Sequence, residues 1–422
     1  MMRPPRSYDD LSLKALAMAS VGLSLLAMLA LDDTATHTVA HFAAWLATVT
    51  CSVFAAIGVA YTLFAAVLVD RFFKRKAAAP THFPGITLVK PLHGTEWRLE
   101  EHLASFFDQD YPGPVQHVFG VHDANDAALD IVNALRARFP AADIDVVVDS
   151  RLYGPNRKVA NLVNMLDHVH HDVLCFADSD VSVERGYLRA IAGELEQPGV
   201  GIVTCAYRGV AAPGFWTRGS VAATHYQFLP GVITGLAIGR ARPCFGQTIA
   251  MTRATLDAIG GLAQFSHHLA EDHALGEAAR HIGTTVAVPA HLVNHACTEA
   301  TFSALFTHEL RWSRTIRAAD RLGHLGSCLM HPVPFALLAL LASGGTLAAS
   351  GLLLLALAAR QLLRWRVDRA TAQSARGWWL LPMWDIVQFT VYLCSFLSSH
   401  VMWRGHRFRV NRAGMLTLSS DE

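Results

Sequence analysis

Val173-Leu174-Cys175-Phe176-Ala177-Asp178-Ser179-Asp180 carries the decisive reading of this chain. Four apolar residues in a row, followed at once by small and acidic ones, predict a buried strand that runs into a polar turn. Similar short runs stand on either side, at residues 86–89 (closing on Lys90-Pro91), 115–121 (closing near Asp123), 144–148, 201–206 and 284–288. Helical patterns lie between them. Thr95 occupies an N-cap place ahead of Leu99, Leu103 and Phe106, and Leu129, Val132 and Leu135 recur at helical spacing. This alternation predicts an α/β fold with a doubly wound, mostly parallel sheet over residues 80–325. Ligands of such sheets bind off the carboxyl ends of the strands, where Asp123, Asp178 and Asp180 fall.

Composition says what surrounds that domain. The chain is 52% hydrophobic and only 16% charged, against about a quarter charged in an average soluble domain. That excludes a disordered chain and points to membrane segments. Lys+Arg 35 against Asp+Glu 34 excludes a globally basic nucleic-acid binder. None of the 7 cysteines forms a C-x-x-C pair, so reduced, buried thiols are expected rather than a disulfide framework or zinc module. His291 and His295 lack the glutamate of H-E-x-x-H and read as surface or core histidines.

Residues 15–31 and 42–69 are uncharged apolar runs, and a helix needs about 20 such residues to cross a bilayer. The first follows Arg3 and Arg6 without a clear cleavage site and reads as a retained helix, a signal peptide being the alternative. The basic cluster at residues 71–76 holds the end of the second run, and the domain after it, on the cytoplasmic side. Near the end, residues 333–359 are broken by Gly344-Gly345 and predict one long span or a tight hairpin. Residues 380–402 carry Asp385 and His400, and a carboxylate at that depth faces protein or water. Trp378, Trp379, Trp384 and Trp403 suit membrane interfaces. Basic clusters at 360–369 and 404–412 leave the orientation of the end open. The expected division is a membrane region at 1–79 with one to two helices, a cytoplasmic catalytic domain at 80–325, and a membrane region of two to three helices with a basic tail at 326–422.

The chemistry-bearing residues form an ordered set. Two carboxylates one residue apart at a strand end, Asp178 and Asp180, suit a hard cation such as Mg²⁺ or Mn²⁺ bridging to a phosphate, although D-x-D is also an ordinary turn. Asp272 opens an expected helix at 272–282 after the Gly260-Gly261 turn. A carboxylate there is kept ionised and can accept a proton from a hydroxyl, or simply cap the helix. In His308-Glu309-Leu310-Arg311-Trp312, Arg311 can fork a phosphate and Trp312 can wall a sugar or apolar group. The same stretch also reads as an interfacial amphipathic helix. Residues 213–244, with Phe215, Trp216, Tyr226 and Phe228, read either as an acceptor gate at the interface or as a core helix under the sheet.

Taken in order, these residues resemble the D, D, D, (Q/R)xxRW pattern of inverting nucleotide-sugar glycosyltransferases with the GT-A fold, and more closely the ceramide glucosyltransferase family. The likeness runs from about residue 86 to 410. It includes Leu88-Val89-Lys90-Pro91-Leu92-His93-Gly94, Phe106-Phe107-Asp108-Gln109-Asp110-Tyr111-Pro112, Gly154-Pro155-Asn156-Arg157-Lys158-Val159-Ala160-Asn161-Leu162, Ala270-Glu271-Asp272 and Trp403-Arg404-Gly405-His406-Arg407-Phe408. Within that family the chain looks most like the bacterial hopanoid-biosynthesis glycosyltransferases, which implies transfer of N-acetylglucosamine from a UDP donor to bacteriohopanetetrol.

The resemblance implies a role for each residue. Asp123 is expected near the uridine, Asp178 and Asp180 at a divalent metal and the diphosphate, and Asp272 as catalytic base. Lys90, Lys158, Arg311 and Trp312 are expected with the donor. His308 stands where the family has Gln or Arg, and is expected at the acceptor or diphosphate. The implied reaction is one in-line displacement that gives a β-glycoside on a hopanoid or sphingoid lipid, in a multi-pass protein of the bacterial cytoplasmic membrane. Rival readings are a ceramide glucosyltransferase using UDP-glucose, a processive polysaccharide synthase, and a non-catalytic membrane receptor or transporter.

Overall fold

The structure, a computed structural model, describes residues 33–374, 377–397, 400–403, 406–410 and 416–418. The apolar run at 15–31 lies outside them, as do Arg404, Gly405 and Arg412 of the terminal basic cluster.

The strands are β1 (Ile86–Pro91), β2 (Val115–Val121), β3 (Asp143–Val148), β4 (Val173–Phe176), β5 (Val181–Ser182), β6 (Val200–Val203), β7 (Ala206–Ala211), β8 (Ile249–Thr252), β9 (Thr285–Ala287) and β10 (Leu292–Cys297). Seven of them form the main sheet, in the order β3-β2-β1-β4-β8-β6-β9. The run β3-β2-β1-β4 is parallel, so these strands end on one edge. β8 is antiparallel to both its neighbours, which makes the α/β sheet mostly parallel rather than wholly so. A second sheet, β5-β10-β7, lies beyond β4 in the chain.

Alternate residues of the central strands feed two cores, the period-two pattern of a sheet covered on both faces. Val89, Val118, Leu174 and Phe176 pack with Leu162, Met165 and Leu275. Ile86, Leu88 and Cys175 pack on the other face with Phe106, Tyr187 and Ile191. All 7 cysteines are free; Cys175, Cys205, Cys244 and Cys297 are buried as expected, whereas Cys51, Cys328 and Cys394 are only partly buried.

Two local expectations need correction. The run 201–206 is not one strand. It divides into β6 and β7, which join different sheets. At the corner, the Thr204 hydroxyl donates to the Phe245 carbonyl and accepts from its N–H, which turns the chain out of the first sheet. Thr95 does not cap a helix either. The helix is Leu99–Ala104, preceded by Arg98 in the left-handed region at φ 54° with no side-chain cap, so residues 92–98 remain a loop over the end of β1.

The second apolar run forms the helix Asp33–Phe73, 41 residues long or about 60 Å at 1.5 Å per residue. Its first half is bare, with Phe42 62% and Trp45 59% exposed. One face of its second half is core: Ala65, Val69 and Phe72 pack with Val221, Tyr226, Leu229 and Leu363, while Leu63, Phe64 and Val67 stay exposed. His37–Phe73 and Leu347–Thr371 are long and apolar enough to cross a membrane. The break at Gly344-Gly345 is a hairpin turn, both residues at positive φ (67° and 87°), between the helices Pro332–Ala342 and Leu347–Thr371. The last apolar run is shorter than expected. Its helix, Leu381–Ser395, stops before the antiparallel strands His400–Trp403, His406–Val410 and Leu416–Leu418.

Asp385 faces protein, as a carboxylate in such a helix must, and pairs with Arg360. Trp378 and Trp379 are exposed, but Trp384 is buried against Phe215 and Trp216. Residues 213–244 form Thr217–Ala223, a π turn at Thr224–Phe228, and Leu229–Ala237. Tyr226 and Leu229 of that stretch share one core with the Asp33–Phe73 helix, so it joins the sheets to the apolar helices.

Candidate active site

The turn after β4 delivers Asp178 and Asp180 to the sheet's carboxyl edge. Asp178 Oδ1 lies 2.6 Å from Lys158 Nζ, and the same ammonium is 3.1 Å from Glu271 Oε1. Burial works against the charge on Lys158, but the two carboxylates outweigh it and hold the amine protonated. Burial pushes the Asp178 carboxyl up, against the pull of Lys158. Lys158 is placed by a cap: the fully buried Asn156 accepts from the N–H groups of Lys158 and Val159 and starts the helix Arg157–Met165. The amide nitrogen of Asn156 donates to Glu271 and to the His268 carbonyl, tying that cap to the neighbouring helix.

Lys90 is fully buried. Its ammonium donates to the Asp178 carbonyl at 2.9 Å and lies 3.5 Å from the Phe106 ring centroid, so it reaches the acidic turn through the backbone. Burial lowers its pKa to about 7, with Asp178 opposing. Asp180 Oδ2 lies 3.4 Å from His295 Nδ1, while Oδ1 is buried with no hydrogen-bond partner among the described residues. Burial alone would raise the Asp180 carboxyl, but His295 holds it down at about 2. An ionised carboxylate with one buried, unpartnered oxygen, beside a second carboxylate, fits a hard divalent cation.

Asp272 stands in the first turn of the helix Glu271–His281 and accepts two backbone N–H bonds, from Gly246 at 2.9 Å and His273 at 2.7 Å. Burial, and then the charge of Glu271, raises its pKa to about 6. Gly246 marks the convergence. A Cβ there would stand 3.0 Å from Lys158 Nζ, 3.4 Å from Asp272 Oδ2 and 3.7 Å from Asp178 Oδ2. A small pocket opens at this point, lined by Pro91, Lys158, Phe176, Gly246, Glu271 and Leu275.

Arg311, Trp312 and His308 come from the helix Phe302–Ala319, which Thr301 caps. Burial lowers the Arg311 pKa, while Glu271, Glu309 and Asp180 lie close enough to act against it. Trp312 tilts on His295 at 5.8 Å and meets Tyr207 edge-on at 5.9 Å. His308 turns towards Glu299, 2.5 Å from its Oε1, with its ring edge-on to Trp312. Asp123 shares the edge but not the cluster. It is exposed at the end of β2, two strands from β4, and accepts from the Asn125 N–H. No hydrogen bond or ion pair among the described residues joins it to the other three aspartates.

Five further residues belong to this site: Asn156, Gly246, Glu271, His295 and Glu309. His295 is a core histidine, one of the two readings its sequence allows, but its partner Asp180 is not apparent there. It lies on β10, and that strand carries it to Asp180. Glu309 is buried, and burial followed by the charge of Glu299 raises its pKa to about 8. A separate group, Asp143, Asp145 and His170, lies towards the opposite end of the strands. It belongs to another surface.

The family model described as Glycosyl transferase family 21 matches residues 50–416. Ceramide glucosyltransferase 1 of Caenorhabditis elegans is 24% identical over 234 residues, 54% of this chain and 49% of the relative. The ceramide glucosyltransferase of Candida albicans is 31% identical over 118 residues, 25% of this chain and 22% of the relative. The chain thus spans about half the length, or less, of these curated relatives. Among solved structures, a mannosyltransferase from Pyrobaculum calidifontis in complex with GDP-Man and Mn2+ aligns with a TM-score of 0.48 at 21% identity, over 81% of this chain and 99% of that one.

Proposed function

The chain belongs to glycosyl transferase family 21, and on that premise we propose that it is a membrane glycosyltransferase that moves one sugar from a UDP donor onto a lipid hydroxyl. The observation that carries this reading is the meeting of Asp178, Lys158 and Asp272 around Gly246. Asp272 accepts the proton of the attacking hydroxyl, and its raised pKa suits a base working near neutrality. Lys158 and Arg311 offset the charge that builds on the leaving diphosphate. Asp178 and Asp180 would hold a divalent cation, which when bound neutralises the same diphosphate. Lys90 holds their turn in place through the Asp178 carbonyl. Trp312 walls the sugar, His308 and Glu299 face the acceptor, and Asp123 at the rim of the same edge meets the uridine.

For the finer assignment, we read the donor as UDP-N-acetylglucosamine and the acceptor as bacteriohopanetetrol, with residues 80–325 on the cytoplasmic side of a bacterial membrane. A second reading, glucose onto ceramide, is favoured by the relatives named ceramide glucosyltransferase. Membranes containing the protein, incubated with labelled UDP-sugars and followed by mass spectrometry of the lipids, separate the two. An N-acetylhexosamine on a hopanoid supports the first, and a hexosylceramide supports the second. UDP-sugar binding without any lipid product, unchanged by Asp272→Asn, would overturn both.

A further inference from the structure

Arg360 is a charged residue on the Leu347–Thr371 helix and is only 4% exposed. All three of its guanidinium nitrogens are engaged. Nε and Nη2 fork the Asp385 carboxylate at 2.9 and 2.5 Å, and Nη1 donates to the Tyr226 carbonyl at 2.7 Å. The fork ties one apolar helix to another. The third bond goes elsewhere, into the helix that supports the catalytic layer.

Tyr226 lies in the π turn, where the Leu229 N–H reaches back to the Thr224 carbonyl. The sequence explains the turn. In an α-helix the donor to the Tyr226 carbonyl would be residue 230, and Pro230 has no N–H and a ring that crowds that carbonyl. Widening the turn relieves the crowding, and Arg360 donates to the carbonyl. The same apolar helix holds Tyr226 a second time, because its hydroxyl donates to Asp368 at 2.7 Å.

Two residues on, Phe228 stacks on Tyr207 at 4.4 Å and meets Phe245 at 5.4 Å. Tyr207 is 5.6 Å from His295, the partner of Asp180. Phe245 precedes Gly246, whose N–H holds Asp272. The π turn therefore backs both halves of the site.

We propose that Arg360 is a positioning residue for sugar transfer. By gripping the Tyr226 carbonyl it fixes Phe228 behind Tyr207 and Phe245, and so sets the Asp180–His295 side of the site against the Gly246–Asp272 side. The inference rests on the glycosyltransferase reading given above.

The test compares the full-length parent with Arg360→Met/Asp385→Val and with Arg360→Lys in lipid nanodiscs. Lipid glycosylation rate, UDP–Mn²⁺ affinity and melting temperature are read for each. Exchanging both partners of a buried ion pair for apolar groups leaves stability near the parent's, so the double variant isolates the lost carbonyl bond. Its kcat should fall about tenfold, the worth of one hydrogen bond from a charged group, with UDP–Mn²⁺ affinity unchanged. Arg360→Lys, which cannot fork a carboxylate and reach a carbonyl together, should fall likewise and decides the matter if the double variant does not fold. Parental kcat in either folded variant overturns the inference. So does a joint loss of UDP affinity and melting temperature in both variants, which would make the contact merely structural. A parent that glycosylates no lipid sinks the functional reading and this inference with it; an active parent matched by its variants sinks this inference alone.

Discussion

Two buried charge clusters lie on either side of the π turn, and they are built differently. Between the apolar helices, Arg360 and Asp385 form a closed set in which each guanidinium nitrogen has a partner. At the sheet edge, Asp178, Asp180, Glu271 and Asp272 crowd around Lys158, and Asp180 keeps one buried oxygen without a partner among the described residues. A closed set holds helices together. An open one costs stability and persists where a ligand completes it. The contrast separates charge that positions the fold from charge that meets a ligand, without reference to any relative.

Substitutions in the two clusters should therefore fail in different ways. The largest effect is expected for Asp272→Asn, which should cut turnover by about 10² to 10⁴ while UDP binding, measured by calorimetry, stays near the parent's. Asp385→Val alone should act on the other observable. It strands the Arg360 charge, at a cost of about 3–5 kcal/mol, read as a lower unfolding midpoint in detergent. If Asp385→Val spared stability and removed only activity, the contrast would be wrong.

Smaller effects sharpen it. Gly246→Ala puts a methyl 3.0 Å from Lys158 Nζ. It should lower kcat/KM about tenfold, on the scale of a displaced charged contact, with a melting temperature close to the parent's. The pH profile should follow Asp272. Its pKa is raised to about 6, so a base role predicts activity that falls as pH drops through that value, and a rate that is flat from pH 5 to 8 would remove it from the role. A last effect, on stability alone, is expected from Glu309, whose pKa burial and then the charge of Glu299 raise to about 8. A raised carboxyl favours the fold most below its unfolded value, and that contribution is lost as pH climbs towards 8. Glu309→Gln should flatten the decline of melting temperature across that window.

Much of this arrangement is legible in the sequence. The strand ending in Asp178-Ser179-Asp180 reads correctly because four apolar residues and a polar stop are a local signal. Asp272 reads at a helix start for the same reason. Local rules fail where a distant partner decides. Residues 201–206 split because Thr204 finds the Phe245 backbone, 41 positions away. His295 reads only as a surface or core histidine, because the strand pairing that brings it to Asp180 joins distant parts of the sequence. Gly246 carries no signal at all, since what forbids a side chain there is the approach of Lys158, Asp272 and Asp178 from three other elements. His308 keeps its place in the motif, but its partner Glu299 becomes apparent only once the loop before the helix is folded.

The long helix Asp33–Phe73 has two halves with different duties. From about Ala55 onward one face of it packs into the protein while Ile57, Leu63, Phe64 and Val67 stay exposed, and before that nearly the whole surface is bare. Foothold thus runs the length of the rod, and fold only along one side of its second stretch. Shaving it from the front therefore trims exposed apolar surface without touching the interior only as far as Ala55, and the Leu347–Thr371 helix keeps its own apolar face throughout.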